Sequence, residues 1–118
     1  MTDALPTTAF KILSRADWRA TLAEGAYDGS PIDHADGYIH LSAADQLAGT
    51  AAKHYAGQND LMLVEVDLTA LGETLVWEPS RGGALFPHIY GPLPVKATRG
   101  VRALSVTADG EMILSEKP

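Results

Sequence analysis

Two short runs concentrate the residues able to move protons: Gly37-Tyr38-Ile39-His40-Leu41-Ser42 and Phe86-Pro87-His88-Ile89-Tyr90-Gly91-Pro92. Both read as strands, in which residues i and i+2 share a face. His40 is therefore placed beside Ser42, and His88 beside Tyr90. Each pair joins an imidazole to a hydroxyl. Histidine has a free pKa close to working pH, which suits it to proton transfer or to orienting a polar substrate group. The competing reading is a half-buried ring satisfied by a backbone carbonyl, and spacing alone leaves both open. Glu78 is the third candidate, at the end of an apolar strand and ahead of a Pro/Gly loop, where a rigid scaffold presents functional carboxylates. A solvated strand-end acid is the alternative. Arg81 is read as its partner or as a phosphate contact, and either use favours the guanidinium fork.

Other chemistries find less support. The chain has no cysteine, which removes disulfides, thiol catalysis and thiolate ligands. His34, with Asp33 and Asp36, and His54 offer no H-x-x-x-H, H-E-x-x-H or H-x-H spacing, so no metal is expected. Ser42 lacks a G-x-S-x-G context and its hydroxyl is expected to cap a helix. No G-x-G-x-x-G or P-loop is present, and Gly82-Gly83 reads as a plain loop. Nine Lys and Arg against fifteen Asp and Glu give a net charge of −6, which disfavours broad nucleic-acid binding. Between Glu78 and Asp109 the chain carries Arg81, Lys96, Arg99 and Arg102 and no acid. That is either an anion-facing surface or a solvated strand. No apolar run approaches the roughly 18 residues of a membrane span, and the first residues lack a secretory pattern. A cytoplasmic protein acting on a small-molecule or nucleotide ligand is expected.

The elements that must hold these residues can be read from pattern. A length of 118 residues predicts one domain over residues 1–118. Ala9–Leu13 reads as a strand. Ser14 then opens a helix that Gly25 closes, with Trp18 and Leu22 as its buried face. Residues 26–36 read as a loop, rich in Asp, Gly, Ser and Pro. Gly37–Leu41 is the next strand, with Ile39 and Leu41 facing away from Tyr38 and His40. A helix starting at Ser42 runs to Gly57, with Leu47, Ala51 and Tyr55 on one face. Leu61–Asp67 is apolar enough to be a central strand. Thr74–Trp77, Phe86–Pro92, Val95–Val106 and Met112–Leu114 complete a meandering sheet, the last two joined by a hairpin turn. The fold class is α+β, with two early helices on a mostly antiparallel sheet.

The succession Phe10-Lys11-Ile12, Trp18, GYIHLS at 37–42, Gln46, Tyr55, Trp77-Glu78 and FPHIYG at 86–91 resembles a small bacterial family, domain-of-unknown-function family 952. That family is similar in turn to the ADP-ribosyltransferase superfamily, which includes the RNA 2′-phosphotransferases and uses NAD. The resemblance implies a strongly bent sheet and an NAD- or nucleotide-using enzyme that transfers or hydrolyses ADP-ribose. It implies that His40 with Ser42 holds the ribose and carboxamide of NAD, and that Tyr55 or Tyr90 covers the nicotinamide. Glu78 or His88 would then support the ribosyl centre or orient the acceptor.

Two other classes compete. A two-histidine phosphoesterase would use His40-Leu41-Ser42 and His88-Ile89-Tyr90 as facing strands, with Tyr90 where Ser or Thr is usual. A non-catalytic module would keep the pocket for a metabolite. Whichever holds, His40, Tyr55, Glu78, His88 and Tyr90 are expected to line one cleft. His40→Ala is expected to abolish ligand binding at a stability cost of about 1 kcal/mol, with His54→Ala as the tolerated control; melting temperature and ligand affinity of both variants check this.

Overall fold

The computed structural model describes residues 5–80 and 83–115. Strand β1 (Thr8–Ser14) runs directly into helix α1 (Arg15–Glu24). Ser14 caps that helix by accepting from the Asp17 N–H, and Gly25 ends it at φ 87°, a conformation that favours glycine. The buried face is Trp18 with Thr21, whereas Leu22 is exposed. Thr21 takes the buried place expected of Leu22: its hydroxyl donates to the Asp17 carbonyl at 2.8 Å, leaving only its methyl to pack.

Residues 26–36 are not a loop. Ala26–Tyr27 forms a two-residue strand, β2, and Pro31–Asp36 forms a third helix, α2. Ser30 Oγ accepts from the Asp33 N–H, and the Asp33 carboxylate accepts from the Ser30 N–H at 2.9 Å. Pro31 follows the cap and Gly37 closes the helix at φ 90°. This is a reciprocal capping box with Pro at the first position. Only six residues separate the signals, so no hydrophobic period develops between them. Strand β3 (Ile39–His40) then leads to helix α3 (Ala44–His54). Ala43, not Ser42, precedes that helix, and its N–H donates to the Gln46 side-chain carbonyl at 3.0 Å. Ser42 remains extended, and its Oγ lies 2.8 Å from Thr50 Oγ1.

Among the described residues three sheets stand where a single bent sheet was expected. Strand β4 (Leu61–Asp67) lies between β1 and β8 (Thr98–Val106), with β9 (Met112–Leu114) at the far edge. A second sheet has the order β3, β6 (Leu85–Ile89), β5 (Leu75–Pro79), and a third pairs β2 with β7 (Leu93–Pro94). All pairings are antiparallel. Strand β4 is buried on both faces. Met62, Val64 and Val66 join Trp18, Ile39 and Ile89 in one core, while Leu61 and Leu63 join Leu47, Ala51 and Leu104 beneath α3. Each of the Val, Leu, Ile and Met side chains among them contributes roughly 1.5–3 kcal/mol by leaving water.

The sheets part at a fork that creates the cleft. Phe10 and Ser42 exchange both backbone hydrogen bonds, at 2.8 and 2.9 Å. Beyond that bridge β1 stays with β4, while β3 goes with β6. The His40 N–H and carbonyl, which in a continuous sheet would meet β1, instead donate to Asp33 Oδ1 at 3.1 Å and accept from Lys11 Nζ at 2.9 Å. Lys11 and Asp33 are themselves paired at 3.0 Å, with side chains only 8% and 3% exposed. A buried charge left without its partner is strongly destabilising. Asp33→Ala is therefore expected to lower stability by about 3–5 kcal/mol in urea unfolding, with partial recovery when Lys11→Met is added.

Candidate active site in the cleft between the sheets

A cleft of about 680 Å³ opens at the fork, within the range of small-molecule sites. Phe10 and Lys11 of β1 line it, with Asp36 of α2, Lys53 of α3, and His40, Ser42, Tyr55, Phe86 and His88. The three-stranded sheet has two different faces. Ile39, Ile89 and Leu75 belong to its core face. On the opposite face His40 is in register with His88, and His88 with Val76. Glu78, two residues along β5 from Val76, shares that face.

His88 is 3% exposed and holds a carboxylate. Its Nδ1 lies 2.7 Å from Glu78 Oε1, and the Tyr90 hydroxyl donates to the same oxygen at 2.8 Å. These bonds, from His88 first and Tyr90 second, hold the Glu78 carboxyl below the usual glutamate range. Donating to that carboxylate pushes the Tyr90 phenol up. An ionised carboxylate only accepts, so Nδ1 carries the hydrogen and the lone pair of the neutral ring is on Nε2. The described residues give Nε2 no hydrogen-bond partner. Tyr38 stacks on the His88 ring with centroids 4.1 Å apart and planes at 22°. The two histidine rings meet edge-on at 5.4 Å.

His40 is held differently. Its Nδ1 lies 2.6 Å from Asp33 Oδ1 and its Nε2 2.9 Å from Asp36 Oδ2. Burial works against the Asp33 carboxylate, but the Lys11 charge and hydrogen bonds from Ser30, His40 and Lys11 outweigh it, holding the carboxyl below the usual range. Burial pulls the Lys11 ammonium down, with Asp33 opposing. Carboxylate oxygens thus lie within hydrogen-bond distance of both His40 ring nitrogens.

The structure brings His40, Ser42, Tyr55 and His88 to one cleft. Glu78 and Tyr90 reach it only through His88, from outside the cleft lining. The Tyr55 hydroxyl donates to the Ile12 carbonyl at 3.1 Å, and its ring packs in the core under α3. Burial, reinforced by the charges of Asp33 and Asp17, pushes that phenol up. Arg81 lies outside the described residues. Of the basic run, Arg99 is paired with Asp67 at 2.9 Å. His54, read as a neutral control, lines the cleft and does not serve as one. Sequence reasoning missed Lys11, Asp33, Asp36 and Tyr38 as site residues. Strand alternation had already put Tyr38 on the His40 face, whereas nothing local marks the other three.

The family model for proteins of unknown function, DUF952, matches residues 12–101. The crystal structure of protein CC0527 from Caulobacter crescentus is similar, with a TM-score of 0.86 and 50% identity over 91% of this chain and 94% of that one. The solution structure of CC0527 matches with a TM-score of 0.78 and 51% identity, over 89% and 90%. No curated protein matches the chain.

Two outcomes follow from the bonding. His40→Ala strips a ring nitrogen from the buried Asp33 carboxylate, so its cost is expected at roughly 1–3 kcal/mol, at or above the value from sequence, read by urea unfolding. Because the folded-state Asp33 carboxyl is held below its ordinary value of 3.8, its contribution is full above that pH and is lost as pH falls through and below it. Melting temperature should therefore drop steeply below about pH 4, and Asp33→Asn should start lower and show a shallower acid decline.

Proposed function

The chain belongs to the DUF952 family, and from that premise we propose that it is an enzyme using His88 as a general base on a nucleotide-class ligand held in the cleft. The observation that carries this reading is the 2.7 Å contact between His88 Nδ1 and Glu78 Oε1. A carboxylate on one imidazole nitrogen fixes the ring and its tautomer and leaves the other nitrogen to take a proton. Tyr90 steadies Glu78, and Tyr38 covers a face of His88.

The reaction favoured by the resemblance to ADP-ribosyltransferases is transfer or hydrolysis of ADP-ribose from NAD. Here Glu78 acts through His88: the imidazole takes the proton of the attacking water or hydroxyl as that oxygen bonds to the ribosyl carbon and nicotinamide leaves. Phe10 and Phe86 supply apolar wall for a flat ring. Lys11, Ser42 and His40 border the polar side. Direct contact of Glu78 with the ribosyl centre is a poorer reading, since its carboxylate is engaged by His88 and Tyr90. A second reading, two-histidine phosphoester chemistry, is favoured by one observation. His40 and His88 are register partners with rings 5.4 Å apart, spaced to act on two oxygens of one phosphate.

A thermal-shift screen with NAD, ADP-ribose and cyclic nucleotides identifies the ligand class, since a tight ligand raises the melting temperature by mass action. Turnover is then measured on the hit. His88→Ala is expected to lower turnover by about 10²–10⁴-fold with ligand still bound, and Glu78→Gln to produce a smaller loss. Nicotinamide release marks the first reading and phosphoester opening the second. Unchanged turnover in His88→Ala overturns both.

A further inference from the structure

His40 has its two ring nitrogens held by acids of different standing. Asp33, which holds Nδ1, is 3% exposed and is fixed by Lys11, by the Ser30 N–H and by the His40 N–H. Asp36, which holds Nε2, is 47% exposed and is the last residue of α2, immediately before Gly37 at φ 90°. The first contact pins the ring and dictates where Nε2 points. The second is a partly solvated ion pair of the kind worth little. Both His40 and Asp36 line the cleft, and so do Lys53 and His54.

We propose that His40 Nε2 is the binding point for an oxyanion of the ligand, phosphate or carboxylate, and that the Asp36 carboxylate occupies that point in the unliganded protein as an internal stand-in. The incoming oxygen replaces Asp36 Oδ2 at the same donor, so His40 keeps a full set of partners. No covalent bond changes. Asp33 is not displaced in this exchange, because moving it would strip Lys11 and the His40 backbone of their partners at once. The cleft also carries Lys53 on α3, which adds positive charge where an anion would enter. The proposal rests on the cleft being the ligand site, but not on the chemistry assigned to His88.

The test is titration of the full chain with inorganic phosphate, and separately with acetate, following the His40 and His54 ring signals by NMR. Asp36→Ala is expected to bind the responding anion roughly two- to fivefold more tightly than the parent, the range set by a partly exposed ion pair. His40→Gln, which preserves a polar side chain against Asp33, is expected to lose the response. Tightening with phosphate only, or with acetate only, identifies the oxyanion. Equal affinity in parent and Asp36→Ala, or a phosphate response that leaves the His40 signals unmoved, overturns the proposal. An anion response at His40 in a protein that turns over no nucleotide would instead count against the proposed function and leave the oxyanion site standing.

Discussion

The Asp33 carboxylate is the interaction on which the fork and the site both depend. One oxygen accepts from the His40 N–H and lies against His40 Nδ1, and the other accepts from the Ser30 N–H and from Lys11 Nζ. It thereby caps α2, substitutes for the strand that β3 lacks on its open side, neutralises a buried lysine and sets the ring angle of a cleft histidine. A buried carboxylate is tolerable only when it is so fully bonded. The result is that a backbone gap between two sheets, otherwise a row of unpaired polar groups, becomes a satisfied wall of a cavity.

The two histidines share a sheet face yet differ in what surrounds them. His88 is enclosed by Tyr38 and tied to a single carboxylate, while His40 lies between two. Such asymmetry divides roles between residues of one type. A ring with one engaged nitrogen can exchange a proton at the other, whereas a ring bonded at both ends must give up a partner before it meets a ligand. The core supports this by occupying the opposite face: Ile39 and Ile89, in register beneath the histidines, are almost inaccessible to solvent. That apolar layer prevents the strands from slipping, because a one-residue shift would turn the imidazoles into the apolar core and the isoleucines onto the cleft face.

Much of this organisation was legible in residue order. The apolar stretch at 61–67 marked a central strand, Ser14 and Gly25 marked the ends of a helix, and alternation through 38–41 assigned Tyr38 and His40 to one face. Those features are local, each being set by a cap, a period of two or a hydrophobic run. The α+β class follows from them, and membership of the family spans most of the chain. Helix α2 was written in the sequence as Ser30-Pro31 with Asp33, but six residues are too few to show a period.

What only the tertiary structure decided is which residues meet. Lys11 and Asp33 are 22 positions apart, and Gln46 donates to the Leu85 carbonyl 39 positions away. No spacing rule reaches that far, because contacts of this kind depend on where sheets diverge and not on a helical or strand repeat. Glu78 and His88 became a dyad through the β5–β6 register, and Ser42 left its expected capping role because Phe10 claimed its backbone. Local chemistry determined the elements and the faces they present; burial and the need to satisfy every polar group at the fork determined the partners.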